Sequence, residues 1–271
     1  MNPKTYLRNS VYVAQGSLPG AHHRLSWRNN QDAVATVERP GLWCGVVSDG
    51  CGSGAFSELG ARLVVQATTQ WALAANLDDN GGDARRWADD CCTNVVERLR
   101  VVLPHRLPLD GDAAFIRDHL LATLLVAVVT SERAAVFGIG DGVVVVDGDA
   151  KVIAPNAGNA PNYLAYRLLD VDHAAHDDVA PVVHLDADVE LVHQLWLGTD
   201  GAEALLHHDD DVLEDGRARG GLATWADADD KVWRNPSVLQ KRLRRLAQNH
   251  LLDDDTSVVG WCRRREERGT P

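Results

Sequence analysis

The sequence has no run of about eighteen consecutive apolar residues, and residues 1–20 lack the apolar core of a secretory signal. We therefore expect a cytoplasmic protein with no membrane partner. Cysteine is also scarce, because the chain has only five, with no CxxC pair and no histidine at zinc-finger spacing. Structural zinc and a disulfide framework are both unexpected, and reduced thiols fit the cytosol.

Positive charge is in short supply as well. Lys and Arg total 27 against 39 for Asp and Glu, which gives a formal net charge of -12 at pH 7. An acidic surface disfavours nucleic acid and anionic membranes as partners, whereas local aspartate clusters attract divalent cations. No Pro/Ser-rich linker or block of charge divides the 271 residues. We therefore expect one domain over residues 1–262 and a basic, disordered tail at 263–271.

The most distinctive local pattern is an aspartate that leads into a glycine-rich turn. An apolar run at residues 42–47 precedes Ser48-Asp49-Gly50, and two further glycines, Gly52 and Gly54, follow before a helical pattern begins. Glycine can adopt positive φ and bring backbone carbonyls close to a ligand. A carboxylate beside such carbonyls is the outline of a hard-oxygen metal site. The alternative is a plain strand-turn-helix connection in which Asp49 caps the helix.

Four more aspartates lie at the edges of strand-like apolar runs, and this repetition favours a single shared site. They are Asp32, Asp141, Asp200 and Asp253. Asp141 lies in a Gly-Ile-Gly-Asp-Gly segment that a valine-rich run follows, so the helix that dinucleotide binding needs is missing. Asp141 is either a turn residue or an additional metal ligand, and the sequence alone favours the turn.

A cationic segment precedes the first of these aspartates. His22, His23, Arg24 and Arg28 lie within residues 16–30, which we predict to form a polar loop. Such side chains could hold a phosphate over a metal, because the planar guanidinium group matches phosphate oxygens. A solvated loop without this role is the alternative.

Periodicity predicts the remaining elements. Apolar residues at helical spacing predict core-facing helices near residues 59–74 and 87–102, and a capped helix after Asn235-Pro236. Strands are predicted at residues 11–15, 33–37, 42–47, 120–130, 134–139, 143–146, 191–197 and 256–262. Residues 151–189 have a weak pattern that suits either a mobile cover over the site or an irregular surface excursion. The acidic residues 207–215 lack the features of an EF-hand loop and are interpreted as solvated.

Six motifs, taken in order, resemble those of metal-dependent serine/threonine phosphatases of type 2C, with features similar to a divergent bacterial branch. The resemblance extends from about His23 to Cys262 and implies an α+β fold, a four-layer αββα sandwich of two antiparallel sheets flanked by helix pairs. The motifs are Asn30-Gln31-Asp32-Ala33, the Ser48 to Gly54 segment with Ser57 to Ala61, Ala122 to Leu125, Gly138 to Gly142, Gly198 to Gly201, and Asp253 to Thr256.

The resemblance also implies a site and a reaction. Two divalent cations, Mn²⁺ or Mg²⁺, with a possible third weaker site, would activate a water that hydrolyses phosphoserine or phosphothreonine in a phosphoprotein. A serine/threonine kinase or its targets would be the partners. The implied catalytic residues are Asp49, Asp200 and Asp253; the implied metal ligands are Asp32, Asp49, Gly50, Asp141, Asp200 and Asp253; the candidate phosphate-binding residues are His23, Arg24 and Arg28.

Four positions depart from the family pattern. Gln31 stands where many relatives have glutamate, and Gly142-Val143 replace a Ser-Arg pair. Cys51 stands where some relatives carry a histidine proposed as the general acid, so the leaving-group proton must come from metal-bound water or from elsewhere.

Two other functions compete with this one. A catalytically weak module could use the same fold to bind a phosphoprotein or a regulatory partner. Retention of three mutually repelling carboxylates, Asp49, Asp200 and Asp253, favours catalysis. A haloacid-dehalogenase-type hydrolase fits less well, since neither Asp49 nor Asp200 has an aspartate two residues further on.

Overall fold

The computed structural model describes residues 11–77, 82–103, 109–156, 161–169, 179–206, 222 and 231–264. Within these ranges the chain forms two five-stranded sheets in which every pairing is antiparallel. The predicted α+β class with two antiparallel sheets is therefore confirmed. The predicted acidic loop at 207–215, and residues 265–271 of the predicted tail, lie outside the described residues.

Each sheet is built from hairpins joined by longer connections. The first sheet has the order β1 (Val11–Leu18), β10 (Thr256–Arg263), β9 (Gln194–Gly198), β6 (Gly142–Val146) and β7 (Asp149–Ile153). The second has the order β2 (Ala33–Arg39), β3 (Leu42–Ser48), β4 (Leu124–Thr130), β5 (Arg133–Ile139) and β8 (Val182–Asp188). Valine-rich central strands such as β4 and β6 suit this arrangement, because β-branched side chains pack well on a pleated, covered surface.

Helices cover the outer face of each sheet. The helices α2 (Glu58–Ala74) and α3 (Ala84–Val101) pack on the second sheet, and α5 (Lys231–Arg234) and α6 (Pro236–Gln248) pack on the first. Two short helices, α1 (Ala21–Ser26) and α4 (Leu109–Phe115), lie in the connections. Asp83 caps α3 by accepting from the N–H groups of Arg85 and Arg86, and Asn235 caps α6, as the sequence predicts.

Three apolar layers hold this sandwich together. Trp43 and Trp261 are buried between the two sheets. Trp71, Trp87 and Phe137 fill the layer between the second sheet and helices α2 and α3. Trp196, Trp233 and Leu239 lie among the residues between the first sheet and the α5–α6 pair. Fully burying one such large apolar side chain stabilises the fold by about 1.5–3 kcal/mol, so the two sheets form a rigid support for the loops at their ends.

The predicted loop at residues 16–30 is wrong over most of its length. Strand β1 continues to Leu18, and helix α1 follows directly. This helix is held by a distant segment, because the N–H of Ala21 donates to the Leu252 carbonyl at 3.1 Å. A Cβ at Gly20 would lie 2.3 Å from the Asp254 backbone carbonyl carbon, so only glycine allows this close approach. A tertiary contact of this kind leaves no periodic signal in the local sequence.

Other boundaries also differ from the sequence prediction. The strand expected at residues 120–130 begins only at Leu124, because a π-helical turn, Ile116–Leu120, precedes it. Strands β7 and β8 were missed, since β7 is mostly exposed and β8 is a half-exposed edge strand. Leu59, expected in the core stripe of α2, is 38% exposed, and Ala61, Val64 and Thr68 form the buried face instead.

Among the described residues, no helix combines the length and the apolar character needed to cross a lipid bilayer.

Candidate active site

The strand-edge aspartates meet at one end of the sandwich. Ala33 at the start of β2 pairs with Ser48 at the end of β3, so Asp32 and Asp49 lie at the same edge. Gly198 at the end of β9 pairs with Val143 in β6 and with Val258 in β10. The loops that carry Asp141, Asp200 and residues 253–255 therefore open at this edge too.

A pocket of about 420 Å³ opens at this edge and contains most of the predicted site residues. The predicted residues that line it are His23, Arg28, Asp49, Gly50, Asp141, Asp200 and Asp253. The other lining residues are His22, Gln31, Gly52, Pro161, Tyr163, Asp254 and Asp255. The pocket lining therefore combines carboxylates with a few cationic and aromatic groups.

The backbone around Asp49 is fixed by the neighbouring strand. The Asp49 N–H donates to Thr123 Oγ1 at 2.9 Å, and the Thr123 N–H donates back to the Asp49 carbonyl at 2.8 Å. A Cβ at Gly50 would lie 2.7 Å from the Gln31 carbonyl oxygen, so glycine is required there. The N-cap of α2 is Ser57. Asp49 therefore presents its carboxylate to the pocket, and the helix-cap alternative is excluded.

Asp32 lies just behind the pocket wall. One carboxylate oxygen, Oδ2, accepts a hydrogen bond from Thr199 Oγ1 at 2.7 Å. Burial, together with the charges of Asp255 and Asp200, raises the pKa of Asp32 to about 8. Burial, then the charges of Asp32 and Asp200, raises the pKa of Asp49 well above its ordinary value. These carboxylates therefore carry charge only at a high cost unless a cation compensates it.

Asp200 and Asp141 complete the acidic cluster. Burial first, followed by the charges of Asp254 and Asp141, raises the pKa of Asp200 to about 6. Burial also raises the pKa of Asp141. Gly140 and Gly142 on either side have φ of 101° and 140°, and Asp141 lies in the turn that carries the chain from β5 in the second sheet to β6 in the first. Asp141 is thus both a turn residue and part of the pocket lining.

The three consecutive aspartates before β10 have different surroundings. Asp253 lines the pocket with an exposed side chain. Asp254 is also exposed, and its charge is the largest charge effect on Asp200. Asp255 is only 2% exposed and faces inward. Nothing in the sequence distinguishes the three, so the prediction that named Asp253 missed the roles of its two neighbours.

The structure separates the three predicted phosphate-binding residues. His23 lines the pocket, and its Nδ1 lies 2.9 Å from Asp255 Oδ1. Arg28 also lines the pocket, where its Nη2 donates to the Gly54 carbonyl at 3.0 Å. Arg24 instead donates to the carbonyls of Gly20 and Ala247 and is not among the lining residues.

Tyr163 and Cys51 extend the site beyond the predicted residues. Tyr163 is buried in the pocket wall and hydrogen-bonds with Cys51. Cys51 Sγ also lies 3.2 Å from Ser53 Oγ. Tyr163 belongs to the segment for which a cover over the site was one hypothesis, but residues 170–178 of that segment lie outside the described residues. The tyrosine follows a polar loop with no motif, so the sequence offers no signal for it.

The donor set fits a hard divalent cation. Three buried oxygens, Gln31 Oε1, Asp32 Oδ1 and Asp141 Oδ1, have no hydrogen-bond partner in the described part of the chain. Carboxylates and backbone carbonyls are the ligands that Mg²⁺ and Mn²⁺ prefer. Within the same residues, no three acidic, histidine or cysteine side chains approach closely enough to enclose a metal. Binding would therefore require the acids to draw together against their mutual repulsion.

Comparison with known proteins agrees with this arrangement. Residues 19–243 match the family model of protein phosphatase 2C. The chain belongs to the protein phosphatase 2C family. Four of the aspartates that the resemblance implies as ligands, Asp49, Asp141, Asp200 and Asp253, line the acidic pocket. No curated protein matches the chain.

Solved bacterial phosphatases of this family share the fold. A bacterial serine phosphatase aligns over 94% of this chain and 98% of its own, at 14% identity and a TM-score of 0.57. Stp1 from Staphylococcus aureus aligns over 92% and 94%, at 15% identity and a TM-score of 0.56. PstP, whose structure contains two manganese ions, aligns over 94% and 99%, at 16% identity and a TM-score of 0.50. At such low identity these matches establish the fold alone, and the predicted αββα architecture is confirmed.

Proposed function

We propose that this protein phosphatase 2C family member is a metal-dependent serine/threonine phosphatase that acts on phosphoproteins and uses two divalent cations, Mn²⁺ or Mg²⁺. The observation that carries the proposal is that Asp32, Asp49, Asp141 and Asp200 lie together at one end of the sandwich. None of them forms an ion pair with a described Lys or Arg side chain. Buried like charges without protein partners are characteristic of sites that bind a cation.

The ligand assignment follows the position of each oxygen. Asp49, with the Gly50 carbonyl, is the central ligand, and Asp200 binds beside it. Asp253 remains a candidate ligand, but the charge of Asp254 acts on Asp200 more strongly, so we propose Asp254 as an alternative. Asp32 would support the cluster from behind, and Asp141 would serve a third, weaker site.

The chain's own residues position the reactants. When bound, the cations would supply a hydroxide-like water and neutralise charge on the phosphoryl group. Arg28 lies in the pocket as a planar donor for phosphoryl oxygens, and Thr199 fixes the orientation of Asp32. The backbone of Asp49 is fixed, so only its side chain would have to move when the acids draw together on binding.

The cellular setting is part of the proposal. The structure of PppA from Pseudomonas aeruginosa is described as that of a key regulatory component of the type VI secretion system. We propose a phosphoprotein substrate here as well, with a serine/threonine kinase or its targets as partners. All five cysteines are free and buried, which supports a reducing compartment such as the cytoplasm. We further propose that residues 1–262 form one domain.

The test is hydrolysis of a phosphothreonine peptide and of p-nitrophenyl phosphate with Mn²⁺, Mg²⁺ or chelator. We expect activity with metal and none with chelator. Asp49→Asn should lower the activity by more than about 100-fold. Loss of a residue that merely supports a ligand costs about 10–100-fold, and this substitution removes a ligand itself. Asp186→Asn is the matched control, since Asp186 is a surface acid paired with Arg133 in the second sheet. Activity that survives chelation would contradict the proposal.

A binding module of the same fold is the competing function. Cys51 stands where some relatives carry the proposed general acid, and this departure favours a loss of catalysis. Calorimetric Mn²⁺ binding without turnover of either substrate would support that alternative.

A further inference from the structure

Asp255 differs from the other acids of the pocket because both of its carboxylate oxygens have partners within the protein. Its Oδ1 accepts from the Gly20 N–H at 2.7 Å, and its Oδ2 accepts from the Gln31 N–H at 2.6 Å. The same Oδ1 lies 2.9 Å from His23 Nδ1. The two N–H donors come from segments more than 200 residues away in sequence. A carboxylate held this firmly can fix the orientation of a histidine ring.

His23 is the side chain that Asp255 orients. It is only 8% exposed, lies on helix α1 and lines the pocket. Because Nδ1 faces Asp255, Nε2 is the ring nitrogen left for a ligand, and it has no hydrogen bond to a described residue. A carboxylate on one imidazole nitrogen fixes the tautomer and the orientation of the ring, as in hydrolases that use a histidine for proton transfer.

The proposed reaction needs such a proton donor. A seryl or threonyl oxygen is a poor leaving group as an alkoxide, so a donor in the pocket should speed its departure. Cys51 points its thiol towards Ser53 and Tyr163. Tyr163 is engaged with Cys51, and burial raises the pKa of its hydroxyl well above the ordinary value. Of these three side chains, only His23 has a proton-donating atom, Nε2, that is not engaged with another described residue.

We propose that His23 is the general acid of this phosphatase and that Asp255 is its positioning residue. The proposal rests on the proposed phosphatase function. In the step, a bond forms between the water oxygen and phosphorus, and the bond from phosphorus to the seryl or threonyl oxygen breaks. The His23 Nε2 proton passes to that departing oxygen. The attacking water releases a proton to the solvent. The His23 ring then takes up a proton from the solvent, which restores the starting state.

The experiment compares two leaving groups in His23→Gln. Glutamine retains hydrogen-bonding capacity but cannot act as a general acid. We expect kcat/KM for a phosphothreonine peptide to fall about 10²–10⁴-fold, the usual contribution of a general acid. For p-nitrophenyl phosphate, whose phenolate leaves without a proton, we expect less than about a 10-fold change. His193→Gln is the matched control and should leave the rates for both substrates unchanged, because His193 is an exposed histidine beside Asp147, away from the pocket lining.

Asp255→Asn tests the positioning role without removing the side chain. We expect the same substrate-dependent pattern, in smaller measure. In the metal-free protein, the His23 Nδ1–H signal in nuclear magnetic resonance spectra should shift when Asp255 becomes asparagine. An unchanged signal would show that Asp255 does not hold the ring.

Other outcomes separate this proposal from the proposed function. Equal losses for both substrates in His23→Gln, or a rise in KM alone, would overturn the general-acid role and leave the phosphatase assignment intact. A wild-type protein that hydrolyses neither substrate with Mn²⁺ would overturn the phosphatase function and the general-acid role with it. Calorimetric Mn²⁺ binding equal to wild type in His23→Gln would show that the variant site is intact.

Discussion

Asp32 and Asp255 are both buried carboxylates at the same end of the sandwich, yet their surroundings are opposite. Asp255 faces two backbone N–H donors and a histidine. Asp32 accepts a single hydroxyl bond, retains a buried oxygen without a partner and lies beside the charge of Asp200. The comparison teaches that burial alone does not define a site. Asp255 is satisfied by the protein itself, whereas Asp32 and Asp49 belong to a cluster whose charge no described Lys or Arg side chain balances.

A surface cluster shows the ordinary arrangement. Arg133 pairs with Asp186 and Asp188 on the neighbouring edge strand, where solvent screens the charges. Such exposed pairs contribute at most about 1 kcal/mol. The acids of the pocket have no cation of this kind within the described residues. We propose that their arrangement serves ligand binding and not fold stability.

The largest expected effect is the pH dependence of the metal-free protein. The folded state holds protons on Asp32 and Asp200 up to pKa values of about 8 and about 6, whereas the unfolded chain releases them near 3.8. Because the folded state binds more protons between these values, its free energy of unfolding should fall as pH rises from about 4 to about 8. Each pKa unit corresponds to about 1.4 kcal/mol, so a shift of several units makes this effect large.

Urea denaturation at a series of pH values, with chelator and with Mn²⁺, measures this dependence. Mn²⁺ should remove most of the decline, because it stabilises the charged carboxylates. Asp32→Asn should flatten the chelator curve. A free energy of unfolding that rises with pH in chelator would contradict the description of the acidic cluster.

A smaller effect should separate the two kinds of buried carboxylate. Asp255→Ala leaves two N–H groups and His23 without their acceptor, so we expect a loss of about 3–5 kcal/mol in the free energy of unfolding. In chelator at pH 8, Asp32→Asn should cost nothing or stabilise the fold, because it removes a repelling charge. Urea denaturation of both variants makes the measurement. Equal destabilisation by the two substitutions would show that the distinction between them is wrong.

The sequence predicted the sheets and most of the acids for a clear physical reason. Strand-edge aspartates such as Asp49 and Asp200 stand beside apolar runs with period-2 or buried character, and antiparallel pairing brings those edges together. The family motifs supplied the same residues independently. The αββα architecture therefore follows from local pattern and resemblance together.

The missed features depend on contacts between distant segments. Helix α1 docks on the residues before β10, and Gly20 gives no hint of that partner. The three aspartates 253–255 are identical in type, and only the folded chain turns Asp255 inward. The contact between His23 and Asp255 joins residues near opposite ends of the sequence. Single-sequence patterns carry no information on such pairs.

Anomalous diffraction from crystals soaked in Mn²⁺ tests the central claim most directly. The account predicts two manganese peaks in the pocket on either side of the Asp49 carboxylate, one of them beside Asp200 and either Asp253 or Asp254. Peaks confined to the protein surface, or a pocket without manganese while Asp49 and Asp200 are well ordered, would contradict it.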